Sequence, residues 1–201
     1  MLRVGLTGGL ASGKSFVGKA LAELGCHLIQ ADELGHQTLL PGGEAYDGAI
    51  REFGPGILKP DGTISRRKLA AEVFGKPERL EALNRLVHPG VIRREEELIA
   101  RFGAADPGGI VVVEAAILIE TGSVKRFQRV ILAMCRPQQQ VERAMRRDAS
   151  SREEALARLA RQMPLDEKRK YADHIIDTSG TKEEALEQVR KTYNSLRSIP
   201  Q

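Results

Sequence analysis

Short apolar runs alternate with longer stretches of helical periodicity along this chain of 201 residues. Five runs predict strands, at residues 4–7, 27–30, 110–113, 129–134 and 174–176. The third run is unbroken and β-branched, which is typical of a parallel strand buried on both faces. Because helical segments separate the strands, right-handed crossovers predict an α/β fold with a five-stranded parallel sheet flanked by helices.

One long segment, residues 38–104, carries no strand candidate. Proline favours the first turn of a helix, so Pro89 predicts that two helices of this segment meet at His88 and Pro89. At such a junction His88 serves either as a capping or turn residue or in catalysis. We expect a helical insertion here, between the two parts of a core at 1–37 and 105–201.

Basic residues are dense at about 138–170, where the pattern predicts two consecutive helices that would form a lid within the core. Acidic residues lie among them, so most of this charge is expected on a solvated, ion-paired surface. Arg143 and Arg147 are one turn apart and therefore share a helix face. Their planar guanidinium groups are suited to clamping phosphates.

The stretch at residues 8–15, called the phosphate loop below, fits the pattern of glycine, any four residues, glycine, lysine and serine or threonine. A predicted strand precedes it and a predicted helix follows it. Its glycines let the backbone approach a phosphate chain, and the start of a helix favours anions. Lys14 can reach the outer phosphates, and the Ser15 hydroxyl can ligate Mg²⁺. The loop predicts an ATP site with Mg²⁺.

Two acidic residues follow predicted strands at the edge where open α/β sheets bind ligands. Asp32 either accepts a proton from a substrate hydroxyl or assists Mg²⁺, or it caps a helix beginning at Glu33. Glu114 either touches the Mg²⁺ shell or makes a structural hydrogen bond.

Composition excludes several classes of protein. Hydrophobic residues make up 41% and charged residues 29%, as in ordinary soluble proteins, and no apolar run is long enough for a membrane span. A net charge of +4 with 4% aromatic residues does not support nucleic-acid binding. Cys26 and Cys135 fit no metal spacing and are expected to be reduced core thiols. We therefore expect a cytoplasmic protein. We also expect a monomer or a weak homo-oligomer.

Distributed motifs over essentially the whole length resemble the dephospho-CoA kinase family, whose fold is similar to that of nucleoside monophosphate kinases. The matching stretches are Leu6-Thr7-Gly8-Gly9, Ser12-Gly13-Lys14-Ser15, Ala31-Asp32, Asp61-Gly62-Thr63-Ile64 with Arg67 and Leu69, Leu86-Val87-His88-Pro89, Glu114-Ala115-Ala116-Ile117-Leu118-Ile119-Glu120, Arg143 with Arg147-Asp148, Gln162, and Ala172-Asp173-His174-Ile175-Ile176-Asp177.

The resemblance implies a P-loop kinase that transfers the γ-phosphoryl group of ATP to the ribose 3′-hydroxyl of dephospho-CoA. By that resemblance Asp32 orients or deprotonates the hydroxyl, Arg143 contacts the transferring phosphate, and the block 38–104 binds dephospho-CoA. His88 and Glu114 are further expected substrate contacts. The residues expected to contact ATP are Gly8, Gly9, Ala11, Ser12, Gly13, Lys14, Ser15, Phe16, Arg147, Ser179 and Gly180.

The chain departs from the family pattern at three positions. Gln30 stands where many members have an aspartate, so catalysis depends on Asp32 alone. Ala11 replaces a glycine of the phosphate loop, and its backbone must therefore take a conformation that alanine tolerates. Phe16 stands where threonine is common and lacks that hydroxyl.

Three other functions are weighed against this one. Another small-molecule kinase of the nucleoside monophosphate kinase type would share the phosphate loop and the lid, but not the motifs at 61–69 and 86–89. A nucleotide-dependent switch would need a base-reading element, such as an Asn-Lys-x-Asp stretch, which the chain lacks. Nucleic-acid binding through the basic span would need a stacking platform.

Overall fold

The computed structural model describes residues 1–200, and it contains a five-stranded sheet in which every strand is parallel to its neighbours. The order is β2-β3-β1-β4-β5. This confirms the predicted fold class, and the five predicted runs are the five strands. Their bounds are Leu2–Gly8 for β1, His27–Gln30 for β2, Ile110–Glu114 for β3, Arg129–Met134 for β4 and His174–Asp177 for β5.

Helices connect the strands, and the apolar periodicity of the connecting segments explains why they are helical. The helices among the described residues are α1 at Lys14–Glu23, α2 at Ala31–Thr38, α3 at Tyr46–Phe53, α4 at Arg66–Val73, α5 at Pro77–Ala105, α6 at Pro137–Asp148, α7 at Arg152–Leu159, α8 at Leu165–Lys168 and α9 at Lys182–Arg197. Short 3₁₀ turns lie at Pro55–Ile57, Ser123–Arg126 and Arg169–Tyr171.

The sheet core is formed by β1 and its neighbours together with α1 and α9. Val17 and Leu21 of α1 and Val189 and Leu196 of α9 are fully buried against strand residues such as Leu6. Capping boxes begin α7 at Ser151 and α9 at Thr181. The sheet core and the starts of both helices therefore follow from local sequence signals.

The chain forms two compact units. One contains Met1–Gln30 together with the chain from Ile99 onward, and the other is Ala31–Leu98. The second unit has its own core, in which Phe53, Ile57 and Leu69 are buried. Its boundaries lie six or seven residues before the predicted 38–104, and the substrate-binding role of that block stays a prediction.

The predicted helix junction at His88 and Pro89 is wrong, because both residues lie inside the continuous helix α5. Proline lacks an N–H group and therefore removes one hydrogen bond from a helix interior. Apolar residues are buried on both sides of it, Ala82 before and Val91 after, and the helix continues through the proline. His88 is half-buried in mid-helix and does not act as a cap, and its burial lowers its pKa.

Cys26 and Cys135 are buried and unbridged, as predicted. Burial raises the pKa of Cys26 to about 12, so this thiol stays protonated. Within residues 1–200, no helix has the length and apolar character that crossing a membrane requires.

Candidate functional site

The phosphate loop connects β1 to α1, and its shape depends on three glycines. A Cβ on Gly8 would lie 2.6 Å from the carbonyl oxygen of Ala133 in β4, a distance that real Cβ atoms do not reach. Gly13 has φ 87°, and a Cβ there would also meet the side chain of Thr178 at 2.8 Å. Gly9 faces the Gln140 amide in the same way. The loop is thus packed tightly against β4, α6 and the segment after β5.

Ala11 lies at a strained position of the loop. Its φ is 54°, in the left-handed region, where a residue with a Cβ costs about 1–2 kcal/mol relative to the right-handed region. Alanine tolerates this allowed region at that cost. The loop keeps the backbone that a glycine would favour, and alanine carries the strain.

Lys14, Ser15 and Glu114 form one hydrogen-bonded cluster at the start of α1. The Lys14 ammonium donates to Glu114 Oε1 at 2.9 Å, and the Ser15 hydroxyl donates to the same oxygen at 2.6 Å. Gln30 Nε2 donates to the other oxygen at 3.3 Å. Parallel pairing brings these residues together, since Glu114 lies opposite both Leu6 of β1 and Gln30 of β2.

The electrostatics of the cluster favour a charged Glu114. Burial alone would raise its pKa, but the Lys14 ammonium and hydrogen bonds from Ser15, Lys14 and Gln30 outweigh burial, so the pKa lies below its ordinary value. Gln30 supplies an N–H donor to Glu114, which the aspartate common in the family could not do while ionised. The structure therefore gives Gln30 a role beside Glu114.

The donor set suits a magnesium ion bound mainly through phosphates. Ser15 Oγ and the Glu114 carboxylate are adjacent oxygen ligands, the type that Mg²⁺ prefers. Within residues 1–200 no group of three or more His, Cys, Asp or Glu side chains could hold a metal. Since Mg²⁺ at nucleotide sites usually takes one or two protein ligands plus phosphate and water, the residues present fit it.

The lid helices are attached to the phosphate loop at Leu10. Its backbone N–H donates to Gln162 Oε1 at 2.7 Å, and its carbonyl accepts from Gln140 Nε2 at 2.9 Å. The Leu10 side chain is buried in a small core with Val141 and Ala155 of α6 and α7. A change in loop conformation would therefore alter these contacts with α6, α7 and the segment after α7.

Arg143 projects from α6 to the segment after β5. One guanidinium nitrogen donates to Thr178 Oγ1 at 3.0 Å and another to the Thr178 carbonyl at 2.7 Å. The Thr178 hydroxyl in turn donates to the carbonyl of Ser12 at 2.9 Å. Arg143 is thus one bridging hydroxyl away from the phosphate loop.

Arg147 takes a different partner. Its guanidinium makes a bidentate pair with Asp148, at 2.8 and 3.0 Å, and Arg158 of α7 pairs with the same carboxylate. The Arg147 hydrogen bond lowers the pKa of Asp148 well below its usual range, with Arg158 adding to the effect. Arg143 thus contacts Thr178 and Arg147 contacts Asp148, and their joint action on phosphates stays a prediction.

The remaining predicted ATP contacts lie around the same loop. The Ser179 hydroxyl accepts from the Arg136 backbone N–H at 3.1 Å, and its carbonyl accepts from Gln139 at 2.9 Å. These contacts hold the segment of Ser179 and Gly180 against the start of α6. Phe16 is partly buried against the sheet core, so its ring has a packing role in place of the absent hydroxyl.

Asp32 belongs to the second compact unit and is exposed. It is the second residue of α2, which begins at Ala31, so the alternative that it caps a helix beginning at Glu33 is replaced by a position in the first turn. A carboxylate there is favoured by the helix dipole. Chain connectivity keeps Asp32 two residues from the end of β2.

Sequence reasoning missed Lys168. The charge pattern at about 138–170 predicts a solvated, ion-paired surface, but the Lys168 side chain is fully buried, with its ammonium 2.7 Å from the Ala116 carbonyl and 2.9 Å from Glu120. A charge run gives no sign that one member is turned inward. Glu120, in a motif shared with the family, was the only available signal.

The chain is similar in sequence to known proteins over most of its length. The family model for dephospho-CoA kinase matches residues 2–184. The dephospho-CoA kinase of Geobacillus kaustophilus is 40% identical over 191 residues, which is 94% of this chain and 93% of that protein.

Solved structures agree. A crystal structure of a Thermus thermophilus protein matches with a TM-score of 0.84 at 34% identity and covers 96% of both chains. The dephospho-CoA kinase of Campylobacter jejuni matches with a TM-score of 0.70 at 26% identity, covering 97% of this chain and 96% of that one. Both matches extend over nearly the whole chain, including the second compact unit and the lid.

Proposed function

This chain belongs to the dephospho-CoA kinase family, and on that premise we propose that it transfers the γ-phosphoryl group of ATP to the ribose 3′-hydroxyl of dephospho-CoA. The products are coenzyme A and ADP, in the last step of coenzyme A synthesis. The observation that carries the proposal at the site is the cluster of Lys14, Ser15 and Glu114 at the start of α1.

Lys14 is the residue that meets the outer phosphates. In the structure its ammonium pairs with the Glu114 carboxylate. A polyphosphate bound to the loop would offer this ammonium further negatively charged oxygens. Glu114 keeps the ammonium in place beneath the loop, with its side chain only 4% exposed. A charge held in advance costs little reorganisation when phosphate charge develops during transfer.

Mg²⁺ is proposed to bind together with ATP. Ser15 would hold the ion, and Glu114 would reach its shell directly or through water. When bound, the ion neutralises charge on the β- and γ-phosphates.

Asp32 is proposed to orient the 3′-hydroxyl and to take its proton. The hydroxyl oxygen forms a bond to the γ-phosphorus, the bond between that phosphorus and the bridging oxygen of ADP breaks, and the proton passes to the Asp32 carboxylate. Arg143 is proposed to stabilise charge on the transferring group, after exchanging a Thr178 contact for phosphate oxygen. Arg147 is proposed to bind ATP phosphates after leaving Asp148.

The second compact unit is the proposed dephospho-CoA domain, with His88 among its contacts. Its motifs around Asp61–Leu69 and Leu86–Pro89 are those that distinguish this family from other small-molecule kinases. A cytoplasmic location is also proposed, and the two unbridged, buried thiols support it.

The decisive experiment measures ATP consumption by the purified protein with a panel of acceptors. We expect turnover with dephospho-CoA at a kcat/KM far above that for AMP, gluconate or shikimate, and coenzyme A as the product by mass spectrometry. Phosphorylation of one of the other acceptors, without turnover of dephospho-CoA, would assign the chain to another small-molecule kinase activity.

A further inference from the structure

We infer that Lys168 is a positioning residue for the phosphate loop, and that it holds the Gly8–Gly9 peptide so that the loop binds polyphosphate. Lys168 is the last residue of α8, at the carboxyl end of the lid segment. Its side chain is completely buried. The inference rests on the proposed function, since it concerns the same ATP site.

The Lys168 ammonium has acceptors on two loops at the carboxyl edge of the sheet. It lies 2.7 Å from the carbonyl of Ala116, 2.9 Å from Glu120 Oε1 and 3.5 Å from the carbonyl of Gly8. Ala116 and Glu120 belong to the segment after β3, and Gly8 ends β1 and starts the phosphate loop. The three N–H donors of one ammonium thus join the lid, the β3 segment and the phosphate loop.

Stability alone is a weak reason for this arrangement. Burying an ammonium carries a large desolvation cost, and a buried ion pair often contributes less to stability than apolar side chains of the same volume. The Glu120 side chain is 22% exposed, so water reaches one partner of this ion pair while Lys168 is completely buried. The geometry at Gly8 gives a more specific reason.

The Gly8–Gly9 peptide joins two glycines where β1 passes into the phosphate loop. Both residues lack a Cβ, so steric limits on rotation about this peptide are weak. The peptide is trans and planar, so the Gly9 N–H points opposite to the Gly8 carbonyl. An ammonium that attracts the Gly8 carbonyl therefore fixes the direction of the Gly9 N–H, away from Lys168, where it can face a phosphate.

The same contacts tie the loop to the lid. Glu120 Oε1 also accepts from the backbone N–H of Met163 at 3.1 Å, and the Ala116 carbonyl also accepts from Thr7 Oγ1 at 3.3 Å. Lys168 is therefore the centre of a network that runs from β1, through the β3 segment, to the linker between α7 and α8. Replacing Lys168 would loosen the loop without replacing a residue that is proposed to contact nucleotide.

The test replaces Lys168 by methionine, which keeps much of the apolar stem and removes the three donors. We expect the Kd for ADP, measured by calorimetry, and the KM for ATP to rise by about tenfold or more, the scale of losing charge-assisted hydrogen bonds. The KM for dephospho-CoA should change by less than about twofold, because that substrate does not depend on the loop in this account.

A matched control separates positioning from stability. Leu196→Ala removes buried volume from α9, far from the loop in sequence, and lowers the Tm by creating a cavity. At a temperature where both variants are fully folded, we expect normal ADP affinity in Leu196→Ala and weakened affinity in Lys168→Met. Equal affinities in the two variants would overturn the inference.

A second variant guards against loss of folding. Lys168→Gln keeps a neutral N–H donor in the buried site and is the gentler change. If Lys168→Met does not fold, the same affinity comparison with Lys168→Gln decides the question. Because ADP binding needs no acceptor, a failure of this inference differs from a failure of the proposed function, in which wild-type protein would bind ADP but leave dephospho-CoA unphosphorylated.

Discussion

Glu114 is the residue on which the loop's charge balance depends, since its carboxylate receives both Lys14 and Ser15. Glu114→Gln would remove the carboxylate charge that faces the nearly buried Lys14 ammonium. We expect the free energy of unfolding to fall by about 3–5 kcal/mol at neutral pH, the usual cost of removing one partner of a buried ion pair. Denaturant unfolding measures it. Glu81→Gln, which breaks an exposed pair with Arg85, should cost less than about 1 kcal/mol, and equal losses would contradict this account.

The same pair sets a pH dependence. The folded pKa of Glu114 is below its unfolded value, so its stabilisation is present above the unfolded pKa of about 4.3 and is lost as pH falls through the folded pKa. The stability difference between wild type and Glu114→Gln should therefore be constant from pH 7 to about pH 5 and shrink below it. A difference that grows on acidification would show that the carboxylate is not stabilised by Lys14.

Ala11 and Ala149 are the two non-glycine residues with positive φ in the part of the chain that the structure describes, at 54° and 49°. Glycine removes the left-handed penalty but adds freedom to the unfolded chain. Ala149 is exposed after α6, so we expect Ala149→Gly to raise the free energy of unfolding by about 0.5–1 kcal/mol. Ala11→Gly should gain less, because its methyl packs beside Leu10. Destabilisation in Ala149→Gly would contradict the strain assigned to these positions.

Individual residues were predictable where the chemistry is local. Lys14 and Ser15 could be assigned because their role depends on a contiguous pattern. Their pairing with Glu114, a hundred positions away, depends on the register of β1 and β3, which no local pattern contains. Lys168 was missed for the same reason, since its burial is decided by acceptors at Gly8 and Ala116.

Helix α6 holds Arg143 against Thr178, beside the phosphate loop, and Arg147 against Asp148. Arg143→Ala should lower kcat more than it lowers ATP affinity, since the proposed role is to stabilise charge during transfer. Steady-state kinetics and ATP binding give the two numbers. Arg146→Ala, an exposed arginine on the same helix, is the matched control and should leave both nearly unchanged. A larger effect on ATP affinity than on kcat would make Arg143 a ground-state binder.

Elements were predicted well where one signal dominated. Short apolar runs located all five strands, and local capping boxes at Ser151 and Thr181 begin α7 and α9. The signal failed at Pro89, because proline is favoured in a first helical turn but tolerated within a helix that packs on both sides of it. A residue's local preference was overridden there by burial along α5.

At the scale of the whole molecule, the α/β class followed from alternation alone, whereas the predicted block 38–104 differs from the second unit by six or seven residues at each boundary. The structure begins the second unit at Ala31, directly after β2, so Asp32 belongs with the helical unit and Lys14 with the sheet. The segment α2 contains no composition shift that would mark such a boundary. The catalytic roles proposed for Asp32 and Lys14 therefore belong to residues of different units.

Asp32→Asn tests the role proposed for this carboxylate. The amide keeps the shape but cannot take the hydroxyl proton, so kcat should fall by about 10²–10⁴, the range for general acid–base groups. ATP affinity should stay within about twofold, because the residues proposed to bind ATP belong to the other unit. Glu33→Gln is the matched control, an exposed acid in the same first turn of α2, and should keep wild-type turnover. Near-normal turnover in Asp32→Asn would remove this carboxylate from the mechanism, and equal losses in both variants would assign the effect to the charge of the helix start.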